Sequence, residues 1–170
     1  DCEDDAQKCA QVLNEHAEKC AEAFQYKQMD PKRKNCAHAI DVVGDEKIEA
    51  AVPGLVAILN VPQSNIPGDN HRAEAAKALG EIGAQSAWKE LAAALDMSLG
   101  TSSDPEDKMG NRANEEIAEA LGALGDEGAV PKLLELMKKT RDKNVRLKAI
   151  RALGSIGAES AVEPIEEVAL

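Results

Sequence analysis

The chain has 170 residues and a net charge of −11, and 44% of its residues are hydrophobic although only 2% are aromatic. The acidic balance argues against general binding of DNA or RNA, because a polyanion would be repelled at long range. A sequence of this length can form one domain, residues 1–170, whose core must consist mainly of Ala, Leu, Ile and Val.

Residues 4–28 are predicted to form one amphipathic helix. Its apolar face is marked by residues at helical spacing, namely Cys9, Leu13, His16, Cys20 and Phe24. We expect residues 1–30 to act as an N-terminal cap on the repeats that follow, because the end of a repeat stack otherwise exposes apolar surface. A start at Asp1 in place of Met is consistent with removal of an export signal or with trimming.

All four cysteines lie within the first 36 residues, which suggests a disulfide framework. Chain geometry favours Cys20 with Cys36, which flank the predicted turn at Asp30-Pro31 on facing helices, and Cys2 would then pair with Cys9. Such bonds predict an oxidising location, periplasmic or secreted, with a lipid-anchored envelope protein as one form of it. Free buried thiols, or a zinc site that combines these thiols with His16 and His38, are the alternatives.

A two-helix pattern is then repeated four times. Aligned on the glycines that end each first helix, the copies are separated by 39, 42 and 32 residues, at Gly44, Gly83, Gly125 and Gly157. Such a period is typical of helical solenoids. Apolar residues ahead of each glycine follow the i, i+3, i+4, i+7 spacing of one helix face. They are Cys36, Ala39, Ile40 and Val43; Ala75, Ala78, Leu79 and Ile82; Ile117, Ala120, Leu121 and Leu124; and Ala149, Ala152, Leu153 and Ile156.

A second apolar run after each glycine predicts a second helix. The runs begin at Ala51, Ala87, Ala129 and Ala161, and the first of them starts three residues late relative to the others. Pro53, Pro131 and Pro164 lie near the first turns, where a missing N–H costs least. Gly80, Gly122 and Gly154 recur inside the first helices at about 1 kcal/mol each. This recurrence suggests that neighbouring helices pack too closely there for a side chain; a fraying helix end is the alternative.

The residues Asp142-x-x-Val145-Arg146, Ala149-x-x-Ala152-Leu153-Gly154-x-Ile156-Gly157 and Ala161-Val162 resemble the HEAT repeat family, in particular its short bacterial form named after the phycobilisome lyases. The resemblance implies an all-α fold, a right-handed α-α superhelix or α-solenoid. The expected fold contains four HEAT-like helical hairpins, at 31–60, 70–97, 111–140 and 143–170, plus the N-terminal capping helix. The earlier copies lack the full Asp-x-x-Val-Arg opening and keep Arg33, Arg72 and Arg112.

Two further features complete the chain. Turn-rich connectors are predicted at 61–69 and 98–110, the longer one as mobile filler.

Glu166 takes a position that is Val56, Ala92 and Leu134 in the other copies. A charge at such a position predicts an outward face that closes the stack.

No catalytic, metal or cofactor site is predicted. None of the histidines His16, His38 and His71 is followed by Glu, so the chain lacks the His-Glu pairs of HEAT-like di-iron hydroxylases, and no nucleophile with a base can be assembled. A calcium site is the weaker alternative, because its candidate ligands lack the spacing of a calcium hand; they are Asp96, Asp104, Glu106 and Asp107. Trp88 aligns with Val130 and is predicted to be core. The longest apolar run, 50–59, is too short to span a membrane.

The sequence therefore favours a non-enzymatic scaffold that binds a protein partner, without cofactors and as a monomer. Four charged residues of the second helices avoid the apolar stripe and are the predicted contact residues: Lys89, Lys132, Glu135 and Lys139. Residues 132–151 carry eight basic and two acidic side chains, a patch for an acidic partner or simply a solvated face. An accessory subunit or small-ligand carrier related to lyase-type HEAT proteins is the alternative function, and a structural module of a longer envelope protein is a third.

Overall fold

The computed structural model describes residues 2, 5–24, 30–62, 70–95 and 108–169, with the side chains of 108–111 and 167–169 left out. This part of the chain is all-α. The helices are α1 (Ala6–Ala23), α2 (Pro31–Asp45), α3 (Val52–Asn60), α4 (His71–Ile82), α5 (Trp88–Ala94), α6 (Lys108–Leu124), α7 (Val130–Lys139), α8 (Lys143–Ile156) and α9 (Val162–Ala169). The candidate calcium ligands lie outside the described residues. None of the described helices is long and apolar enough to cross a membrane.

The helices form the two layers of a solenoid. In the first layer, α2, α4, α6 and α8 pack side by side. Each second-layer helix packs against the first helix of the next repeat, so α3 lies on α4, α5 on α6 and α7 on α8. Helix α1 packs on both α2 and α3, which places it over the first repeat. The two most extensively packed helix pairs, α4 with α6 and α6 with α8, thus join successive repeats.

The ends of these helices follow from local sequence. Asp5, Asp30 and Asp142 cap α1, α2 and α8 by accepting hydrogen bonds from backbone N–H groups of the first turn. Pro31, Pro53 and Pro131 occupy first-turn positions. Three glycines in the left-handed conformation follow the first helices of repeats two to four, namely Gly83, Gly125 and Gly157, with φ between 71° and 74°.

Repeat one aligns differently from the expected frame. The left-handed position after its first helix is held by Lys47, with φ of 53°, and not by Gly44. Gly44 instead lies against Ala78 of the next repeat, and three residues separate it from Lys47, as Gly80 is separated from Gly83. In this corrected frame Gly44, Gly80, Gly122 and Gly154 are equivalent. In this frame the second apolar run of repeat one begins at the same distance from its glycine as in the other repeats.

Replacing Lys47 with glycine is expected to raise the free energy of unfolding by about 1 kcal/mol. A residue with a Cβ pays about 1–2 kcal/mol in the left-handed region, and the greater freedom of glycine in the unfolded chain offsets part of the gain. Urea denaturation followed by circular dichroism measures the change. Gly83→Lys, the reverse exchange in repeat two, should lower stability by a similar amount. A lower unfolding midpoint for Lys47→Gly would contradict this explanation.

Small residues set the distance between first-layer helices. A Cβ added to Gly80 would lie 3.0 Å from Cα of Ala120, and one added to Gly122 would lie 2.8 Å from Cα of Ala152. The close packing expected at Gly80 and Gly122 is therefore confirmed. At Gly154 no atom of the described residues lies within 4 Å of the added Cβ, so α8 has no such neighbour on that side.

The described part of the last repeat exposes both polar and apolar side chains. Glu166 is exposed, as expected for an outward position. However, Leu147 and Val162, the exposed large hydrophobic side chains of the described residues, are 46% and 54% exposed. This repeat therefore exposes apolar as well as polar side chains, and closure of the stack here stays a prediction.

Helix α1 is joined to repeat one through polar and backbone contacts. Asn14 Nδ2 donates a hydrogen bond to the Ala50 carbonyl at 2.7 Å, and Gly54 N–H donates to Asn14 Oδ1 at 2.7 Å. The two backbones approach so closely that a Cβ on Gly54 would lie 2.6 Å from the carbonyl carbon of Leu13. Helix α1 therefore packs directly against the first turn of α3.

One residue of the predicted stripe of α1 is misplaced. Cys9, Leu13, Cys20 and Phe24 are buried as expected. His16 adopts φ −133° and ψ 27° inside the helix, and it is exposed. The prediction that His16 belongs to the buried face is wrong, because this non-helical residue changes the phase of the helix.

The arginine of the repeat opening has different roles in different repeats. Arg72 donates to the Leu59 and Ala94 carbonyls, and Arg146, at the equivalent position, donates to the Thr140 carbonyl. In repeat three this position is the buried Asn114. The expected Arg112 is exposed instead and pairs with Glu74 of the neighbouring repeat at 3.1 Å.

Arg33 lies outside this set in the corrected frame. It donates to the Phe24 carbonyl at the end of α1 and to Asn70 Oδ1 at the start of α4. Its guanidinium carbon also lies 5.3 Å from the centroid of the Phe24 ring. Arg33 therefore links α1, α2 and α4 across the first repeat.

Candidate protein-binding surface

The four cysteines form two disulfides near the N-terminal end. Cys2 is bonded to Cys9 and Cys20 to Cys36, with Cα–Cα distances of 5.0 and 5.4 Å. Sulfur atoms in disulfides are not thiolate ligands for zinc. Among the described residues, no three His, Cys, Asp or Glu side chains are grouped so that they could hold a metal ion.

Three of the four predicted contact residues lie together on α7. Lys132 and Lys139 donate to the two carboxylate oxygens of Glu135, at 3.1 and 2.7 Å. Hydrogen bonds from Lys139 and then from Lys132 lower the pKa of Glu135. This row, which we call the α7 charge row, carries a net single positive charge at neutral pH. Its side chains are held in place by each other, because residues three and four positions apart are neighbours on a helix.

The fourth residue, Lys89, lies on α5 and has a different partner. Its Nζ is 5.6 Å from the ring centroid of Trp88, within the range of a cation–π contact. Trp88 is half-buried, and a Cβ on Gly128 would lie 2.4 Å from its Cη2 atom. The ring therefore covers the turn that precedes α7 in the next repeat and is core only in part. Within the described part of the chain, no hydrogen bond or ion pair joins Lys89 to the α7 charge row.

The basic side chains of residues 132–151 fall into two groups, those that bind other parts of the chain and those that are exposed without an ion pair. Lys148 pairs with Glu119 on α6, and Arg146 donates to a backbone carbonyl. Lys138, Arg141 and Lys143 are exposed around the turn between α7 and α8, and the described residues give none of them an ion pair. Arg141 and Lys143 are not among the four predicted contact residues, although the excess of basic residues in this run pointed to them.

The charges of the first layer, in contrast, mostly join one repeat to the next. Lys77 lies 3.9 Å from Asp41 and 3.5 Å from Glu81. Although burial lowers the pKa of Lys77, these two carboxylates together outweigh burial and raise it. Burial, and next the charge of Glu119, raise the pKa of Glu116. An open groove of about 500 Å³ between α4 and α6 is lined by Lys77, Glu81, Glu116 and Glu119, among others.

An apolar cleft lies at the other end of the molecule, between α1 and α2. It has a volume of about 260 Å³ and is lined by Val12, Ala23, Ala39 and the Cys20–Cys36 disulfide, with polar side chains at its rim. It is open to solvent. Of the described surface, this cleft is the part that most resembles a binding site for a small apolar ligand.

Known proteins show similarity at the level of the repeat. Residues 111–170 match the family described as HEAT repeats. No curated protein matches the chain. The crystal structure of an engineered protein is 24% identical to this chain and superposes with a TM-score of 0.44, and the match covers 97% of this chain and 80% of that chain. HEAT repeats generally act as non-enzymatic scaffolds for protein interactions. The resemblance read from the sequence is thus confirmed for residues 111–170, which match the HEAT repeat family, and the all-α solenoid agrees with it.

Proposed function

We propose that this protein is a non-enzymatic scaffold, secreted or resident in the cell envelope, that binds an acidic protein partner through the outer surface of α5 and α7. The contact residues are Lys89 and the α7 charge row. The observation that carries the proposal is the pre-ordering of these side chains. Lys132 and Lys139 are held by Glu135, and Lys89 is held over Trp88. Binding then costs less side-chain entropy than it would with free lysines.

Charge supports the choice of partner. The whole chain carries −11, whereas Lys138 and Lys139 add positive charge to the last turn of α7. Arg141 and Lys143 follow at once. A local patch of opposite sign to the protein steers an acidic partner to one surface and away from the rest.

The two disulfides support an oxidising location. Disulfides persist in the periplasm and outside the cell but are rare in reducing compartments. Both bonds involve residues that pack α1 on the first repeat. We therefore place the scaffold outside the cytoplasm.

A small-ligand carrier is favoured by one observation, the apolar cleft between α1 and α2. Its volume of about 260 Å³ lies just below the range of about 300–1,000 Å³ typical of pockets that enclose a drug-sized ligand. The cleft is also open. Protein binding is therefore the function we propose.

Reversing the four charges tests the proposal. We expect the variant Lys89→Glu, Lys132→Glu, Glu135→Lys, Lys139→Glu to bind the partner with roughly tenfold lower affinity, because several charge pairs at an interface act together. The immobilised variant should then lose roughly 90% or more of the partner that the wild-type protein retains. Retention from the extracellular or periplasmic fraction is measured by mass spectrometry, and circular dichroism confirms the fold.

A control variant carries the same change of net charge elsewhere. Lys8, Lys19, Lys34 and Glu22 are exposed on α1 and α2, so Lys8→Glu, Lys19→Glu, Lys34→Glu, Glu22→Lys alters charge without touching α5 or α7. It should retain the partner. If both variants retain the same proteins as the wild type, the assignment of the α5–α7 surface is wrong.

A further inference from the structure

The four cysteines differ in how far they are shielded from solvent. Cys2, Cys9 and Cys20 are 3%, 0% and 2% exposed, whereas Cys36 is half-buried. The Cys20–Cys36 disulfide also lines the open cleft between α1 and α2. A thiolate must reach a sulfur atom to break a disulfide, so access decides which sulfur it attacks. Cys36 is therefore the cysteine most open to attack from solvent.

The partial exposure of Cys36 is a property of its position in the repeat. Cys36 precedes the equivalent glycine of its repeat by eight residues, as Arg72 and Arg146 do in theirs. Arg72 belongs to repeat two, which has a repeat on each side, and it is also half-buried. Asn114, the shorter side chain at this position in repeat three, is buried. A long or reactive side chain at this position can thus reach solvent inside the array as well as at its first repeat.

The cleft that leads to Cys36 has a basic rim. Lys19, Lys32 and His16 line it and are exposed. Lys32 precedes Cys36 by four residues, the spacing of neighbours on one side of a helix. None of the described residues that line the cleft is acidic. The charge of this rim favours the approach of a molecule that carries a carboxylate.

We propose that Cys36 forms a mixed disulfide with a small thiol that carries a carboxylate. The thiolate attacks Sγ of Cys36, and a bond forms between these two sulfur atoms while the Cys20–Cys36 bond breaks. The electron pair of the broken bond goes to Sγ of Cys20, which then takes a proton from solvent. One disulfide is exchanged for another, so the step needs no further oxidant or reductant. The proposal does not rest on the α5–α7 surface.

The exchange can take place on the folded chain. It removes the covalent link between α1 and α2, but the polar contacts of α1 do not depend on that link. Asn14 still bonds to Ala50, and Arg33 still donates to the Phe24 carbonyl. The adduct therefore leaves α1 held by non-covalent contacts alone, and its formation makes release of α1 easier.

Exchange rates with two small thiols test the proposal. Mercaptopropionate carries a carboxylate and mercaptoethanol does not. The folded full chain is mixed with each thiol at low salt, a pulse of alkylating reagent traps the Cys20 thiol, and peptide mass spectrometry measures the adducts. We expect the adduct on Cys36 to form at least about tenfold faster than any adduct on Cys2 or Cys9, because burial restricts access to those sulfurs.

Substitution of the two rim lysines tests the preference for a carboxylate. Lys19→Gln, Lys32→Gln should slow the reaction with mercaptopropionate about threefold relative to the reaction with mercaptoethanol, since exposed charges interact modestly and are screened by salt. The matched control is Lys8→Gln, Lys34→Gln. It removes the same charge from α1 and α2 at exposed residues that are not among the described lining of the cleft, and it should leave the relative rates unchanged.

Three results would overturn the proposal. They are equal rates of attack on the two disulfides, an adduct on Cys20 in place of Cys36, and the same change of relative rates in both lysine variants. Circular dichroism checks that each variant is folded.

Discussion

Replacing Gly54 with alanine is expected to lower the free energy of unfolding by about 3 kcal/mol, because a side chain forced between packed backbones displaces both. The added Cβ would lie 2.6 Å from the carbonyl carbon of Leu13 and 2.7 Å from the backbone nitrogen of Asn14. The neighbouring atoms belong to backbone and cannot rotate away. The change should also break the hydrogen bond from Gly54 N–H to Asn14. Urea denaturation measures the loss.

The matched control is Gly154→Ala, which adds the same methyl group to another helix. No described atom lies within 4 Å of that position, so only helix propensity acts. The control should gain about 0.5–1 kcal/mol. If Gly54→Ala is as stable as the wild type, then α1 does not rest on α3 as described.

Removing the Cys20–Cys36 disulfide, by changing both cysteines to serine, should cost about 3 kcal/mol, the value for a closed loop of about 15 residues. The bond joins α1 to α2 across a sequence separation of 16. Its loss lets α1 leave the first repeat and expose Leu13 and Phe24. Denaturation monitored by circular dichroism gives the cost, and limited proteolysis should show earlier cleavage within α1.

The Cys2–Cys9 bond serves as the comparison. It closes a loop with a sequence separation of only 7, so its removal should cost less than removal of Cys20–Cys36. Intact mass after alkylation, with and without reductant, verifies both bonds in the isolated protein. Four thiols that react without reductant would contradict both the disulfides and the proposed location.

The repeat architecture could be predicted because its signal is local and recurs. The i, i+3, i+4, i+7 spacing gave the helices of repeats two to four and most of their buried residues, and the glycine recurrence correctly indicated close packing at Gly80 and Gly122. The frame of repeat one was misassigned at Gly44. A glycine usually marks the left-handed end of a helix, and there Lys47 adopts that conformation at a cost which only the folded structure reveals.

The candidate site was predictable only where its contacts are local. Lys132, Glu135 and Lys139 lie three and four residues apart, so helix geometry alone brings them together. The contact of Trp88 with Gly128 and the pairing of Glu119 with Lys148 join different repeats, and their register depends on the packing of whole helices. His16 could not be placed for a different reason. Its departure from helical geometry lies inside a stretch whose apolar residues keep continuous helical spacing.

The packing of each second helix on the following repeat has a consequence for how the molecule comes apart. A repeat removed from the stack would keep two helices that make few contacts with each other, so no single repeat is an independent folding unit. One end of the array is cross-linked by sulfur, whereas α9 contacts little of the described chain beyond its own repeat. Within the described helices, loss of structure should therefore have a direction, starting at α9 and advancing toward α1.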